Sequence, residues 1–114
     1  MELLPTAITI EQLSAIELRV GTIEHVATIA GADKLYVLTV DFGAHGKRTI
    51  CAGIKMFFTP EQLTGIQALF AFNLEPRTLR GVESQGMIMV AKDEQSVPVI
   101  MKPERAVPAG TRLS

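Results

Sequence analysis

The stretch Asn73-Leu74-Glu75-Pro76-Arg77-Thr78-Leu79-Arg80-Gly81-Val82-Glu83-Ser84-Gln85-Gly86-Met87-Ile88-Met89-Val90 holds the side chains best suited to chemistry in this sequence. An apolar strand ends in a polar Asn, a turn carries two arginines, and a second strand begins after Ser and Gly. Pro76 fixes its own φ and lacks an N–H, so the first strand should stop near it. Gly81 and Gly86 mark turns or points where another backbone comes close. Two guanidinium groups on a rigid connection suit phosphate or carboxylate contacts. Two exposed loop arginines kept for solubility fit these residues as well, so the decision falls to the rest of the chain.

A search for catalytic chemistry yields little. The histidines are His25, in a strand, and His45, in a hairpin loop, and the cysteine is Cys51. One Cys and two widely separated His do not make a zinc site. Neither a GxxxxGK[ST] nor a GxGxxG element follows a strand to cradle a nucleotide phosphate. Ser84 before Gly86 resembles a nucleophile turn, but the sequence places no His/Asp pair to activate it. No catalytic residue, metal or cofactor is therefore expected, and the protein is not expected to be an enzyme. Binding has more support: Lys34 lies at a turn, Lys47 and Arg48 open a strand, and Lys55 stands ahead of Arg77 and Arg80. Phe57 and Phe58 are candidates for stacking on bases, or for plugging a barrel. Met87 and Met89 alternate with Ile88, so at least one faces away from the core.

Charge narrows the partner. Eleven basic against twelve acidic residues give a formal net charge of −1, which excludes a protein that grips nucleic acid everywhere by charge. From Lys34 to Arg80, however, six basic residues face three acidic ones, and acids gather near Glu2, Glu11, Glu17 and Glu24. A local basic face is compatible with that distribution. The 114 residues, 47% of them hydrophobic, suit one compact domain. No apolar run reaches the roughly 20 residues of a membrane span, and Met1-Glu2-Leu3-Leu4-Pro5 lacks the pattern of a signal peptide. A single cysteine makes no disulfide within one chain, which points to a reduced, cytoplasmic home.

The elements that must position these residues read as short strands. Thr9-Ile10-Glu11-Gln12-Leu13 is a capping box opening a short helix, and Thr59-Pro60-Glu61-Gln62-Leu63 is a second, with Pro at N1 and Gly65 as the C′ residue. Residues 16–29 form a long strand with Gly21 as a bulge or bend, letting it serve two sides of a barrel. Leu35 to Phe42 and Lys47 to Gly53 follow, joined by the hairpin loop Gly43-Ala44-His45-Gly46. Ile66 to Leu74, Gln85 to Lys92 and a short strand over Val97 to Met101 complete the set. Five strands with a short helix between the third and fourth is the order of an OB-fold barrel. A small all-β sandwich has the same periodicity.

Five stretches resemble the tRNA-binding domain family: Leu18-Arg19-Val20-Gly21-Thr22-Ile23; Ala32-Asp33-Lys34-Leu35-Tyr36-Val37-Leu38; Phe57-Phe58 ahead of Thr59-Pro60-Glu61; Asn73-Leu74-Glu75-Pro76-Arg77; and Gly81-Val82-Glu83-Ser84-Gln85-Gly86-Met87. This is the OB-fold module found at the C-terminus of many methionyl-tRNA synthetases and as free-standing tRNA-binding proteins. The resemblance implies one domain over 1–114, an all-β, five-stranded OB-fold barrel at about 16–92, and a homodimer interface on the flanks 1–15 and 93–114. It implies recognition of tRNA by shape at the outer corner of the L, with contacts at Lys34, Asn73, Arg77, Arg80, Ser84 and Met87. Lys47, Arg48 and Lys55 would add to them, and a synthetase, methionyl-tRNA synthetase among them, would be assisted in cis or in trans. The start at Met1 suggests a free-standing protein, while residues 9–13 resemble the opening of the synthetase-appended version. The CsaA-type export-related chaperones share the fold, the dimer and the Pro-x-Gly-Thr tail seen here as Pro108-Ala109-Gly110-Thr111. They bind unfolded polypeptide instead, and typically lack the Ala-Asp-Lys-Leu turn that this chain keeps.

Overall fold

The structure, a computed structural model, describes residues 6–114; residues 1–5 of the expected N-terminal flank, with the first residues of the signal-peptide reading, lie outside the described residues. The strand β1 (Leu18–Thr28) runs through the middle of a five-stranded antiparallel sheet with β2 (Tyr36–Asp41), β3 (Lys47–Ala52), β4 (Gln67–Ala71) and β7 (Met87–Ile88), in the order β3-β2-β1-β4-β7. β1 pairs with β4 over Leu18 to Thr22 and with β2 over Thr22 to Thr28, so one strand serves both halves of the curl. The far edge of β3 meets the segment before β7: Gln85 N donates to Thr49 O at 2.8 Å and Thr49 N donates to Gln85 Oε1 at 3.1 Å. The result is an OB-like half-barrel, with little free edge left between β3 and β7.

The alternation in β2 is strict: Tyr36, Leu38 and Val40 are buried and the residues between them are half-buried, as expected of a strand with one face on the core. Inside lie Phe42, Phe70, Ile23, Leu38, Ile50, Leu63 and Val40, each fully buried. Phe42 packs edge-on against Phe70 and Phe72, with centroids 5.5 and 4.9 Å apart. Leu63 comes from the helix α2 (Pro60–Leu63), whose capping box of Thr59 and Gln62 is formed as expected. Gly65, at φ 90°, follows it and donates its N–H to Ile23 O at 2.7 Å, fixing the helix under the barrel.

Three expectations need correction. Gly21 is not a bulge; it pairs in register with Ala68, and the irregularity of β1 falls between Ile23 and His25. Glycine is required there by crowding: a Cβ would run into Val40 Cγ1 and stand 2.8 Å from Phe42 Cε1. The strand expected from Gln85 to Lys92 divides, because Met89 N donates to Leu69 O while the next residues turn away as β8 (Val90–Lys92) to pair with β9 (Pro98–Ile100). Between Arg77 and Ser84 the connection is a hairpin of β5 (Arg77–Leu79) and β6 (Val82–Ser84). Its two turn residues, Arg80 (φ 52°) and Gly81 (φ 81°), both have positive φ, the condition for a tight turn matching strand twist. The C-terminal tail pairs along the outer edge of β1: Val20 N donates to Thr111 O, Gly110 N to Val20 O and Leu113 N to Leu18 O.

Candidate nucleic-acid interface

The β5–β6 hairpin carries Arg77 at its base and Arg80 at its tip, both exposed. Arg80 reaches the turn before β2, where it lines a cavity of about 250 Å³ with Gly31, Ala32, Asp33, Lys34 and Leu35. Lys34 O accepts from Lys55 N at 3.3 Å, which brings the Lys55 turn beside it. Arg77 lines a larger hollow, about 550 Å³, with Leu74, Pro76, Ser84 and Met87 around it and Cys51 among its other walls. Met87 is 48% exposed and Leu74 45%, so this second hollow is a largely apolar slot with the Arg77 guanidinium and the Glu75 carboxylate on its wall.

The structure sorts the basic side chains into two groups. Arg19 Nε pairs with Glu17 Oε1 at 2.7 Å and its Nη1 donates to Gly110 O. That bond and pairing hold the Glu17 carboxyl below the usual carboxylate range. Lys47 pairs with Glu24 at 2.9 Å, which raises its pKa, and Arg112 donates to Ser14 O. Arg48 donates to both Phe72 O and Gln85 O and lies 3.5 Å above the Phe72 ring; burial lowers its pKa. Lys34, Lys55, Arg77 and Arg80 make no ion pair or side-chain hydrogen bond among the described residues. Lys92, Lys102 and Arg105 make none either, but these four are the uncommitted cations of the β5–β6 hairpin and the turns at Lys34 and Lys55.

Several of the expected contact residues bond within the chain. Asn73 is exposed, but its Oδ1 accepts from Glu17 N (2.9 Å) and its Nδ2 donates to Ala15 O (2.7 Å), tying the chain just after β4 to the segment before β1. Ser84 is buried, accepting from Cys51 N at 3.0 Å and bonding Gly86 O at 3.2 Å. Its hydroxyl is tied into the wall of the slot, one lone pair taken by Cys51 N and its proton given to Gly86 O. Arg48 and Lys47 are committed as described. Lys34, Arg77, Arg80 and Met87 remain outward, with Lys55 half-buried next to Lys34. Sequence reasoning missed Leu74, whose signal was a Leu immediately before Glu75-Pro76, where a strand has already ended.

A curled OB-like barrel with uncommitted cations on one hairpin and the turn opposite it is a binding scaffold whose site suits an anionic partner. The chain belongs to the tRNA-binding domain family: the family model described as "Putative tRNA binding domain" matches residues 18–112. It is 42% identical over 106 residues to the methionine–tRNA ligase of Pyrococcus furiosus, a match covering 93% of this chain and 14% of the ligase. The chain thus spans a small part of the relative it matches. Among solved structures it superposes on a MetRS-related protein from Pyrococcus horikoshii with a TM-score of 0.89 at 33% identity, covering 96% of this chain and all of that one. The chaperone CsaA from Bacillus anthracis superposes with a TM-score of 0.86 at 27% identity, with coverage of 96% and 100%.

Proposed function

We propose that this chain binds tRNA without catalysing a reaction, recognising the folded shape at the outer corner of the L through Lys34, Lys55, Arg77, Arg80 and the apolar slot at Met87. The observation that carries the reading is the sorting of charge: on a chain of net charge −1, the uncommitted cations of residues 34–80 share one hairpin and the turns beside it. Four cations suit a few phosphates of one folded RNA rather than a long duplex track. The likeness to a segment of methionine–tRNA ligase supports action beside a synthetase, in cis or in trans. One free, buried cysteine supports a reduced, cytoplasmic setting.

The reading includes a homodimer. The helix α1 (Ile10–Ser14) buries none of its residues, and Ile10, Leu13, Ile16, Leu18 and Leu113 line an apolar groove of about 560 Å³. Apolar groups gathered in this way are what a second copy of the chain would cover. A sizing measurement near 12.4 kDa contradicts the dimer.

A second reading, binding of unfolded polypeptide, draws on the likeness to CsaA and on the slot walled by Leu74, Pro76 and Met87. A gel shift with folded tRNA against an unfolded polypeptide competitor separates the two. Retarded tRNA that resists the competitor supports the first; polypeptide bound and tRNA left free replaces it with the second.

A further inference from the structure

The pair Phe57-Phe58 divides in the structure. Phe58 packs against the core and its carbonyl accepts the Tyr36 hydroxyl at 2.7 Å, so it is the plug. Phe57 points outward, 46% exposed, and Met56 beside it is 68% exposed. Their turn is held from both ends: Phe57 N and Phe58 N both donate to Ile54 O, and Lys55 N donates to Lys34 O. A rigid turn that presents an aromatic ring to solvent two residues from Lys55, and next to Lys34, is placed where the uncommitted cations are.

We propose that Phe57, flanked by Met56, is a stacking platform for one unpaired nucleobase of the bound RNA, while Lys34 and Lys55 hold the phosphates on either side of it. The inference rests on the tRNA-binding reading and adds to it a base contact distinct from the phosphate contacts. Every base offers a π-face, so the contact tolerates sequence, which suits recognition by shape. The charge beside the ring selects a polyanion over a neutral apolar partner.

The test uses the full chain and folded tRNA, with affinity read by anisotropy of labelled tRNA. Phe57→Ala is expected to bind roughly 5- to 150-fold more weakly, the range for loss of one base–aromatic stack, with the salt slope unchanged because no phosphate contact is removed. Phe57→Tyr should keep affinity and Phe57→Leu should not restore it. The chain contains no Trp, so Phe57→Trp introduces a single reporter whose emission should be quenched on adding tRNA. If the unaltered chain binds tRNA but Phe57→Ala binds equally well, or the emission of Phe57→Trp does not change, the platform is refuted and the tRNA reading stands. Full restoration by Phe57→Leu assigns the ring to an apolar contact, such as a second copy or a polypeptide, and also refutes it. Failure of the unaltered chain to bind tRNA overturns both.

Discussion

Replacing Lys34 with Ala tests the sorting of charge most directly. Lys34 is exposed, its side chain has no partner among the described residues, and only its backbone carbonyl is used, by Lys55 N. Removal should therefore leave stability within about 0.5 kcal/mol, as at other free surface positions. Each phosphate contact contributes roughly 0.7–0.9 to the slope of log affinity against log salt. If Lys34, Lys55, Arg77 and Arg80 each meet one phosphate, raising salt from 50 to 200 mM should weaken binding about 50- to 150-fold per site. With three contacts left in Lys34→Ala, the same step should cost only about 20- to 40-fold. Arg80→Ala should behave alike, because both side chains line one cavity. Lys47→Ala, whose ammonium is already paired with Glu24, should keep the full slope. The assay is tRNA titration at four or more salt concentrations with thermal unfolding of each variant as control. An unchanged slope in Lys34→Ala, or an equal loss in Lys47→Ala, refutes the division into free and committed cations.

Gly21→Ala should lower stability by about 1–3 kcal/mol or more in a denaturant titration, because its Cβ would overlap Val40 in a filled core; an unchanged midpoint would show that the β1–β2 face can yield. Ser84→Ala should cost about 1–3 kcal/mol by leaving the Cys51 N–H buried without an acceptor, while tRNA affinity well below the unfolding midpoint stays the same; a loss of affinity in the folded variant would mean that the hydroxyl reaches RNA. Burial pushes the Cys51 thiol up, opposed by the Ser84 hydrogen bond and then by Arg77, so the folded state binds the thiol proton more tightly than the unfolded one. That contribution is complete below the ordinary thiol value of about 8.5 and lost as pH rises through the folded one, so Cys51→Ala should flatten the alkaline fall in stability; a parallel fall in both proteins excludes it.

The sequence was clearest where a single residue has one physical use. Thr59, Pro60 and Gln62 each satisfy or remove a helix N-terminal donor, and the helix stands where they put it. Gly65 likewise ends it at positive φ. Gly21 was harder, because a glycine in a strand serves either a bulge or a close approach, and only the positions of Val40 and Phe42 distinguish them. The β5–β6 hairpin escaped notice because its turn places Arg80, not Asn or Asp, at positive φ ahead of Gly81. The strand after Gln85 divides because Met89 is claimed by Leu69 while Val90 to Lys92 are claimed by Pro98 to Ile100, a competition between distant partners that alternation along one segment cannot register.

The site was legible as a set of residue types, and the structure was needed to decide which of them are free. Arg48 and Arg77 are the same side chain at strand ends. Arg48 opens β3 opposite the end of β4, where the carbonyls of Phe72 and Gln85 and the face of Phe72 converge on it. A planar cation with five donors loses least on burial at such a place, so it becomes part of the wall. Arg77 begins a two-stranded hairpin separate from the five-stranded sheet, with Leu74, Glu75 and Met87 beside it in the slot and no ion pair or side-chain hydrogen bond of its own among the described residues. Its donors stay with water until a partner supplies acceptors. The same contrast separates Asn73, whose amide is bonded to Glu17 N and Ala15 O, from Lys34, whose ammonium is not engaged. An interface on a nearly neutral chain therefore depends less on how many cations the sequence holds than on which of them the fold engages: Glu75, Glu83 and Asp33 lie near the hairpin and the turn, yet none of them pairs with Arg77, Arg80 or Lys34.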